Sequence, residues 1–407
     1  MLQKTGRVFT IALVFCYSVF FTGCGEAEKE YNKAIELMES GQYKDSLVHF
    51  VNALEENSEK AEYYIAYGMA LNSTGSYKEA IKEFSRAYQD TDNKISRQNN
   101  KRLYMGQAVS YYNMGNTKEA LEACDKALGF GKEPDIDIRI KNIKAMVNIL
   151  AGNTDEALGI YNDIIEEDNT QAGTYKARAA LYEILGEDTM AVKDYANAIE
   201  YDKKCYDAYF AMYNIYKRLG DNEKADGALK VFLGSRPETA EETMQLGRAY
   251  YYKEDYKNAK EVLEKAVKDG CSDALYHLGM VHMAEEDYQM AAGRFEEYIK
   301  TGRMDKAQDS YNQMAGCYIK LEDFEAASSC IDKGIALNKG ISGAGIALYK
   351  NRVILYEKTG NYKKAKKAAN SYLKKFPGDK DMEKELGFIK TRIKTVQLAG
   401  NDKTGQQ

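Results

Sequence analysis

Thiols and imidazoles are the side chains of this chain with the most chemistry to offer, and their spacing decides which chemistry is open to them. Seven cysteines occur, at 16, 24, 124, 205, 271, 317 and 330, and no two stand as CxxC or at another metal-ligand spacing. A zinc centre is therefore not expected. The five beyond Cys24 are odd in number and far apart, and read as reduced structural thiols, because disulfide-stapled domains hold their cysteines more densely. Of the three histidines, His49 is isolated, while His277 and His282 are five apart, about 140° around a helix, so they cannot share a face as a metal pair does. No glycine-rich phosphate loop follows a strand pattern, and the many Asp and Glu read as solvated helix faces rather than as a catalytic pair. No catalytic residue, no metal and no cofactor are expected, and the chain does not read as an enzyme.

Cys24 is the exception among the cysteines. Met1 to Arg7 carries two cations, Val8 to Phe21 is an apolar run of 14 residues, and Thr22 and Gly23 are small. A bilayer-spanning helix needs about 20 apolar residues, so the run fits a signal-peptide core better than a membrane span. The closing "FTGC" resembles the bacterial lipoprotein signal motif, with Phe21 where leucine is usual. That resemblance implies a leader over 1–23, cleavage before Cys24, and a diacylglycerol on Cys24 that anchors residues 24–26 as a short tether. The implied place is the extracytoplasmic side of a bacterial cell membrane.

Beyond Cys24 the chain repeats one phrase: Gly-x-Tyr-x-x-small, four residues to Phe, three more to Ala, as in "GQYKDSLVHFVNA". Aligned on the small residue, the copies fall at Ser46, Ala80, Ala120, Ala157, Ala191, Ala225, Ala259, Ala291, Ala327 and Ala365. A period in the mid-thirties marks a solenoid of helix pairs. Five residues before this column glycine recurs, at a place that favours positive φ. Glu254, Glu286 and Glu322 replace it in three copies, and strain is expected there. The pattern resembles the tetratricopeptide repeat (TPR) family, with tyrosine in place of the family's tryptophan (Tyr64, Tyr104, Tyr175, Tyr209, Tyr311, Tyr349) and its closing proline kept only at Pro237 and Pro377. The resemblance implies an all-α, right-handed superhelical solenoid: ten repeats over 27–379, a capping helix over 380–398 and a loose tail over 399–407. The recurrent tyrosines are expected in the core, with their hydroxyls reaching its edge.

In the family, the first helix of each pair lines a concave groove with the residues 15, 11 and 8 before the alanine column. Here that stripe is apolar and rich in methionine: Tyr31, Ile35, Met38, Ile65, Met69, Met105, Val109, Tyr112, Met146 and Ile149 in the first four repeats. Repeats five and six turn polar around Phe210, and Met244, Tyr251, Tyr276, Met280 and Met283 follow in repeats seven and eight. Methionine suits surfaces that adapt to several apolar shapes, and an exposed apolar stripe implies a partner. The stripe is thus expected to bind apolar or amphipathic segments of other proteins by helix-in-groove contacts. The family's carboxylate clamp, lysine and asparagine four apart on this stripe, is missing: Lys176 is followed by Ala180 and Lys350 by Ile354.

The formal charge of the chain is −5, which argues against a nucleic-acid binder, yet it is unevenly spread. Residues 339–407 hold 16 Lys and Arg against 6 Asp and Glu, with Lys363, Lys364, Lys366, Lys367, Lys374 and Lys375 on one helix. This basic end, nine repeats from the tether, is expected to meet an anionic polymer or an acidic partner. The function that emerges is a lipid-anchored envelope scaffold or assembly factor. Its rival, a binder or processor of an extended polymer such as a wall glycan, calls for aromatic platforms with carboxylates on the stripe that instead carries methionine.

Overall fold

The computed structural model describes residues 25–337 and 343–404; Cys24 and the leader lie outside the described residues. Among the described residues all regular structure is helical. The first four repeats are α1 (Glu26–Glu39) with α2 (Tyr43–Glu56), α3 (Ala61–Thr74) with α4 (Tyr77–Arg86), α5 (Lys94–Met114) with α6 (Thr117–Leu128), and α7 (Pro134–Ala151) with α8 (Thr154–Glu167). Next come α9 (Ala172–Leu185) with α10 (Asp188–Tyr201), α11 (Tyr206–Arg218) with α12 (Asn222–Leu233), and α13 (Ala240–Tyr252) with α14 (Tyr256–Lys268). The last are α15 (Asp273–Ala284) with α16 (Tyr288–Lys300), α17 (Ala307–Lys320) with α18 (Phe324–Ala336), and α19 (Gly343–Lys358) with α20 (Tyr362–Lys375), closed by α21 (Lys380–Thr404). Each helix packs on its pair mate and on the next repeat, as a one-dimensional array requires.

Ser46 and all nine alanines of the aligned column are fully buried, where the second helix of each pair comes closest to its neighbours. The first helix answers with glycine. A first side-chain carbon on Gly68 stands 2.7 Å from the Phe84 ring, and one on Gly279 stands 2.6 Å from the Phe295 ring, so any larger residue collides there. The turn between the helices is equally specified. Gly75, at φ 85°, donates to Asn72, and Ser76 donates to Leu71, which is the paired closure of a left-handed helix end. The three repeats without glycine form the same turn: Glu254, Glu286 and Glu322 hold φ of 60°, 61° and 60°. The strain expected from the sequence is where it was expected.

The tyrosine columns are largely core, though not always with a satisfied hydroxyl. The Tyr195 hydroxyl donates to Glu183 at 2.6 Å, whereas the Tyr161 hydroxyl is buried without a partner. Cys124, Cys205, Cys271, Cys317 and Cys330 are free thiols, and burial raises the pKa of each.

α21 covers the last repeat with Met382, Leu386 and Ile389 against Val353, Ala369 and Tyr372. Asp379 fixes its start: one carboxylate oxygen accepts from the backbone of Asp381 and Met382, the other from the Tyr372 hydroxyl and the Lys350 ammonium. The helix runs to Thr404, past the predicted end at Leu398, since no proline interrupts its backbone ladder there.

The array also turns back on itself. A first side-chain carbon on Gly41, after α1, would stand 3.7 Å from Arg303 Cγ and from an Asp305 carboxylate oxygen in the segment between α16 and α17. Burial raises the Tyr43 phenol beside this contact, with Asp305 adding and Arg303 opposing. Only two repeats and α21 lie beyond this point, so the two ends are not held nine repeats apart as an extended array would hold them.

Candidate partner-binding site on the concave face

The apolar stripe is not an open groove over most of its length. Ile35, Ile65, Met69, Met105, Val109, Tyr112, Met146, Ile149, Phe210 and Met244 are buried, Met69 at 2% and Met105 at 0% exposure. This corrects the sequence-based expectation, and the reason is how closely adjacent first helices approach. Met105, Val109 and Tyr112 of α5 join one core cluster with Ile140, Ile143 and Met146 of α7, while Ile65 and Met69 of α3 cluster with Leu103 of α5. Phe210 is stacked on Phe232 and Tyr252 and covered by the Arg248 guanidinium, 4.2 Å from its ring centre. Tyr31, Met38, Tyr251, Tyr276, Met280 and Met283 remain half-buried.

A cavity of about 310 Å³ lies against the N-terminal ends of α9, α11, α13 and α15 and the residue preceding α17, that is, the first helices of repeats five to nine. Five successive helices can share one small cavity with equivalent ends only on the inside of the curve. Its cations are Lys176, Lys204, Arg248 and Lys306, and its anions Asp202, Asp207, Glu241 and Asp273, with Gln245, Met244 and His277 between them. Some are already engaged. Arg248 pairs with Asp207 at 3.1 Å, Glu241 accepts from Gln245 at 2.6 Å, and Asp273 pairs with Arg303 at 3.2 Å.

Others are not. Among the described residues Lys176, Lys204 and Lys306 form no ion pair, and Lys306 only overlies the Tyr276 ring at 5.4 Å. The second carboxylate oxygen of Asp273 is buried and accepts no hydrogen bond. Burial, reinforced by Arg248 and Lys306, keeps the His277 imidazole well below its ordinary pKa, so it stays neutral and can donate or accept. The site offers three ammonium donors to a polar chain.

Of the predicted groove residues only Met244 lines this cavity; Tyr276, Met280 and Met283 lie on α15, the helix that also carries Asp273 and His277. The residues missed from sequence had a signal of their own. Asp207, Glu241 and Asp273 each stand 18 before the alanine column in three successive repeats, and Gln245 and His277 each stand 14 before it. The six lysines of the basic patch, Lys363, Lys364, Lys366, Lys367, Lys374 and Lys375, are all exposed on α20, away from this cavity.

Family models described as tetratricopeptide repeat match residues 31–95, 244–313, 308–340 and 351–379, and the model for the N-terminal TPR repeats region of Psidin matches 110–232. The chain is 22% identical over 387 residues to the BBSome complex member BBS4 homolog of Drosophila melanogaster, covering 90% of this chain and 76% of that protein. Among solved structures it is similar to yeast Tom70, with 15% identity, 92% and 90% of the two chains covered and a TM-score of 0.47. A second similar structure is Pseudomonas aeruginosa PilF, with 14% identity, 55% and 96% coverage and a TM-score of 0.41.

Proposed function

From the premise that this chain is an array of tetratricopeptide repeats, we propose that it is a lipid-anchored envelope scaffold that clasps an amphipathic segment of a partner protein in the cavity of repeats five to nine. Arrays of this kind work through their extended concave surfaces, and protein partners are the general expectation for the fold. The observation that carries the finer reading is the set of unpaired groups in the cavity. Lys176, Lys204 and Lys306 suit carboxylates or carbonyls of a bound chain. Half-buried Tyr276, Met280 and Met283 on α15 supply an apolar side for the same segment. The buried first half of the stripe contributes packing instead of contact.

The membrane side of the proposal rests on the leader pattern and Cys24. α1 begins at Glu26, so a lipid on Cys24 leaves a tether of only about 10 Å. Two acyl chains on one cysteine anchor stably where a single chain does not.

Affinity capture from detergent-solubilised membranes tests the cavity. Lys176→Glu with Lys306→Glu is expected to abolish partner recovery while helical content and melting temperature stay within error of wild type. Undiminished recovery refutes the cavity. Metabolic labelling with a fatty-acid analogue tests the anchor separately: Cys24→Ala abolishes the label, and persistent labelling refutes acylation at that position.

A further inference from the structure

α21 ends the array without behaving as an inert lid. One repeat period of 34 residues maps Tyr349, Ile354 and Tyr356 of α19 onto Glu383, Phe388 and Lys390 of α21. Phe388 thus occupies the stripe position of Met69 and Val109, which cluster with residues of the following first helix, and of Ile354, which is 42% exposed. Among the described residues no further helix covers it, and Phe388 is 61% exposed. Gly387 confirms how open this end is. Its counterparts Gly68, Gly247 and Gly279 are crowded by side chains of a second helix, while a side chain on Gly387 would meet nothing within 4 Å.

The same end of the chain is rich in cations. Between 362 and 395 the chain has eleven Lys and Arg against four Asp and Glu, and α20 contains no acid at all. None of the six α20 lysines is ion-paired among the described residues. Lys375 reaches the Tyr349 hydroxyl at 3.1 Å and Lys364 overlies Tyr356 at 5.7 Å, leaving Lys363, Lys366, Lys367 and Lys374 to solvent. On α21, Lys384, Lys390 and Lys394 are exposed, and Arg392 is held by Glu357 at 2.9 Å.

We propose that this C-terminal end docks on an anionic phospholipid membrane, with Phe388 entering the interfacial layer and the lysines of α20 and α21 meeting headgroups. An anionic bilayer satisfies both features at once, since it sets negative charge directly above an apolar layer. A dissolved polyanion neutralises the lysines but leaves Phe388 in water. Another helix, whether from a second copy or a partner, is disfavoured because its packing positions carry Glu383 and Lys390 where the inner repeats carry tyrosine. The turn that brings the first repeat against Arg303 leaves two repeats and α21 beyond it. The docking does not depend on a lipid at Cys24.

The chain contains no tryptophan, so Phe388→Trp introduces a single reporter. The full chain with Cys24→Ala and Phe388→Trp is titrated with vesicles of phosphatidylglycerol and phosphatidylcholine, and with phosphatidylcholine alone. On the anionic vesicles the indole emission is expected to shift to the blue and to be quenched by brominated acyl chains. Changing Lys363, Lys366, Lys367 and Lys374 to Gln is expected to weaken binding at least about tenfold, as is 0.5 M salt. Phe388→Ser, at an exposed position, is expected to weaken vesicle binding without moving the melting temperature. Attachment through residues 1–23 alone leaves the introduced indole in water and overturns the proposal. So does a shift of equal size on neutral vesicles, or one that ignores the lysine changes. An equal blue shift with an acidic peptide and none with vesicles assigns the surface to a polypeptide instead.

Discussion

Glu254, Glu286 and Glu322 hold left-handed backbone that glycine holds in seven other repeats, and a side chain there is strained by contact between its Cβ and the backbone. Changing all three to Gly relieves that strain but loosens the unfolded chain, so the net gain is about 0.5 kcal/mol per site. Denaturant unfolding is expected to show the triple variant more stable by about 1 to 2 kcal/mol, with the slope unchanged. Tyr161 raises the opposite question. Its ring fills the core beside Ala145 and Ile164, yet its hydroxyl has been taken from water without a partner. Tyr161→Phe keeps the ring and removes the orphan, so the same measurement is expected to show a gain of up to about 1 kcal/mol. A loss of stability would mean that the hydroxyl is satisfied by water.

At the scale of elements, the joint between α19 and α21 contains a titrating pair. Burial, the neighbouring Glu385 carboxylate and a hydrogen bond to it raise the Glu357 pKa to about 7, while Arg392 opposes the shift. The folded value lies above the unfolded one near 4.5, so between them the folded state holds more protons than the unfolded. The contribution of this pair to stability is therefore present at low pH and lost as pH rises through about 7. Glu357→Gln mimics the protonated form. It is expected to stabilise the docking of α21 at pH 8 and to have little effect at pH 5, read by hydrogen exchange of the Met382 to Ile389 amides. Equal effects at both pH values would remove the pair as the cause.

The whole molecule is set by the angle at which repeats follow one another. Arg303 bonds Asp273 at 3.2 Å and Asp305 at 2.8 Å, in the segment that meets Gly41 and Tyr43 of the first repeat. Arg303→Glu gathers three carboxylates there and repels the turn. Solution X-ray scattering is expected to show a larger radius of gyration at unchanged helical content, most clearly at low salt. An unchanged radius would mean that helix packing alone sets the curvature. The uneven charge belongs to this scale too, because the cationic residues 339–407 follow the segment that meets the first repeat.

The helix pairs, their period, the alanine column and the strained glutamates were all legible in the sequence. Each is a local demand: an apolar stripe repeats with the helical turn, a close approach excludes a side chain, and a left-handed residue needs glycine or costs energy. The thiols were legible for the same reason, being isolated from one another along the chain. What the sequence could not decide is which face of a first helix its neighbour covers. The stripe through Met69, Val109 and Met146 is apolar whether it faces a partner or the next repeat, and only the close approach of successive first helices buried it. The same curvature gathered Lys176, Asp207, His277 and Lys306, up to 130 residues apart, into one cavity, and brought Gly41 to Arg303. Such contacts depend on a small rotation accumulated over many repeats, a quantity that no single repeat carries in its own residues.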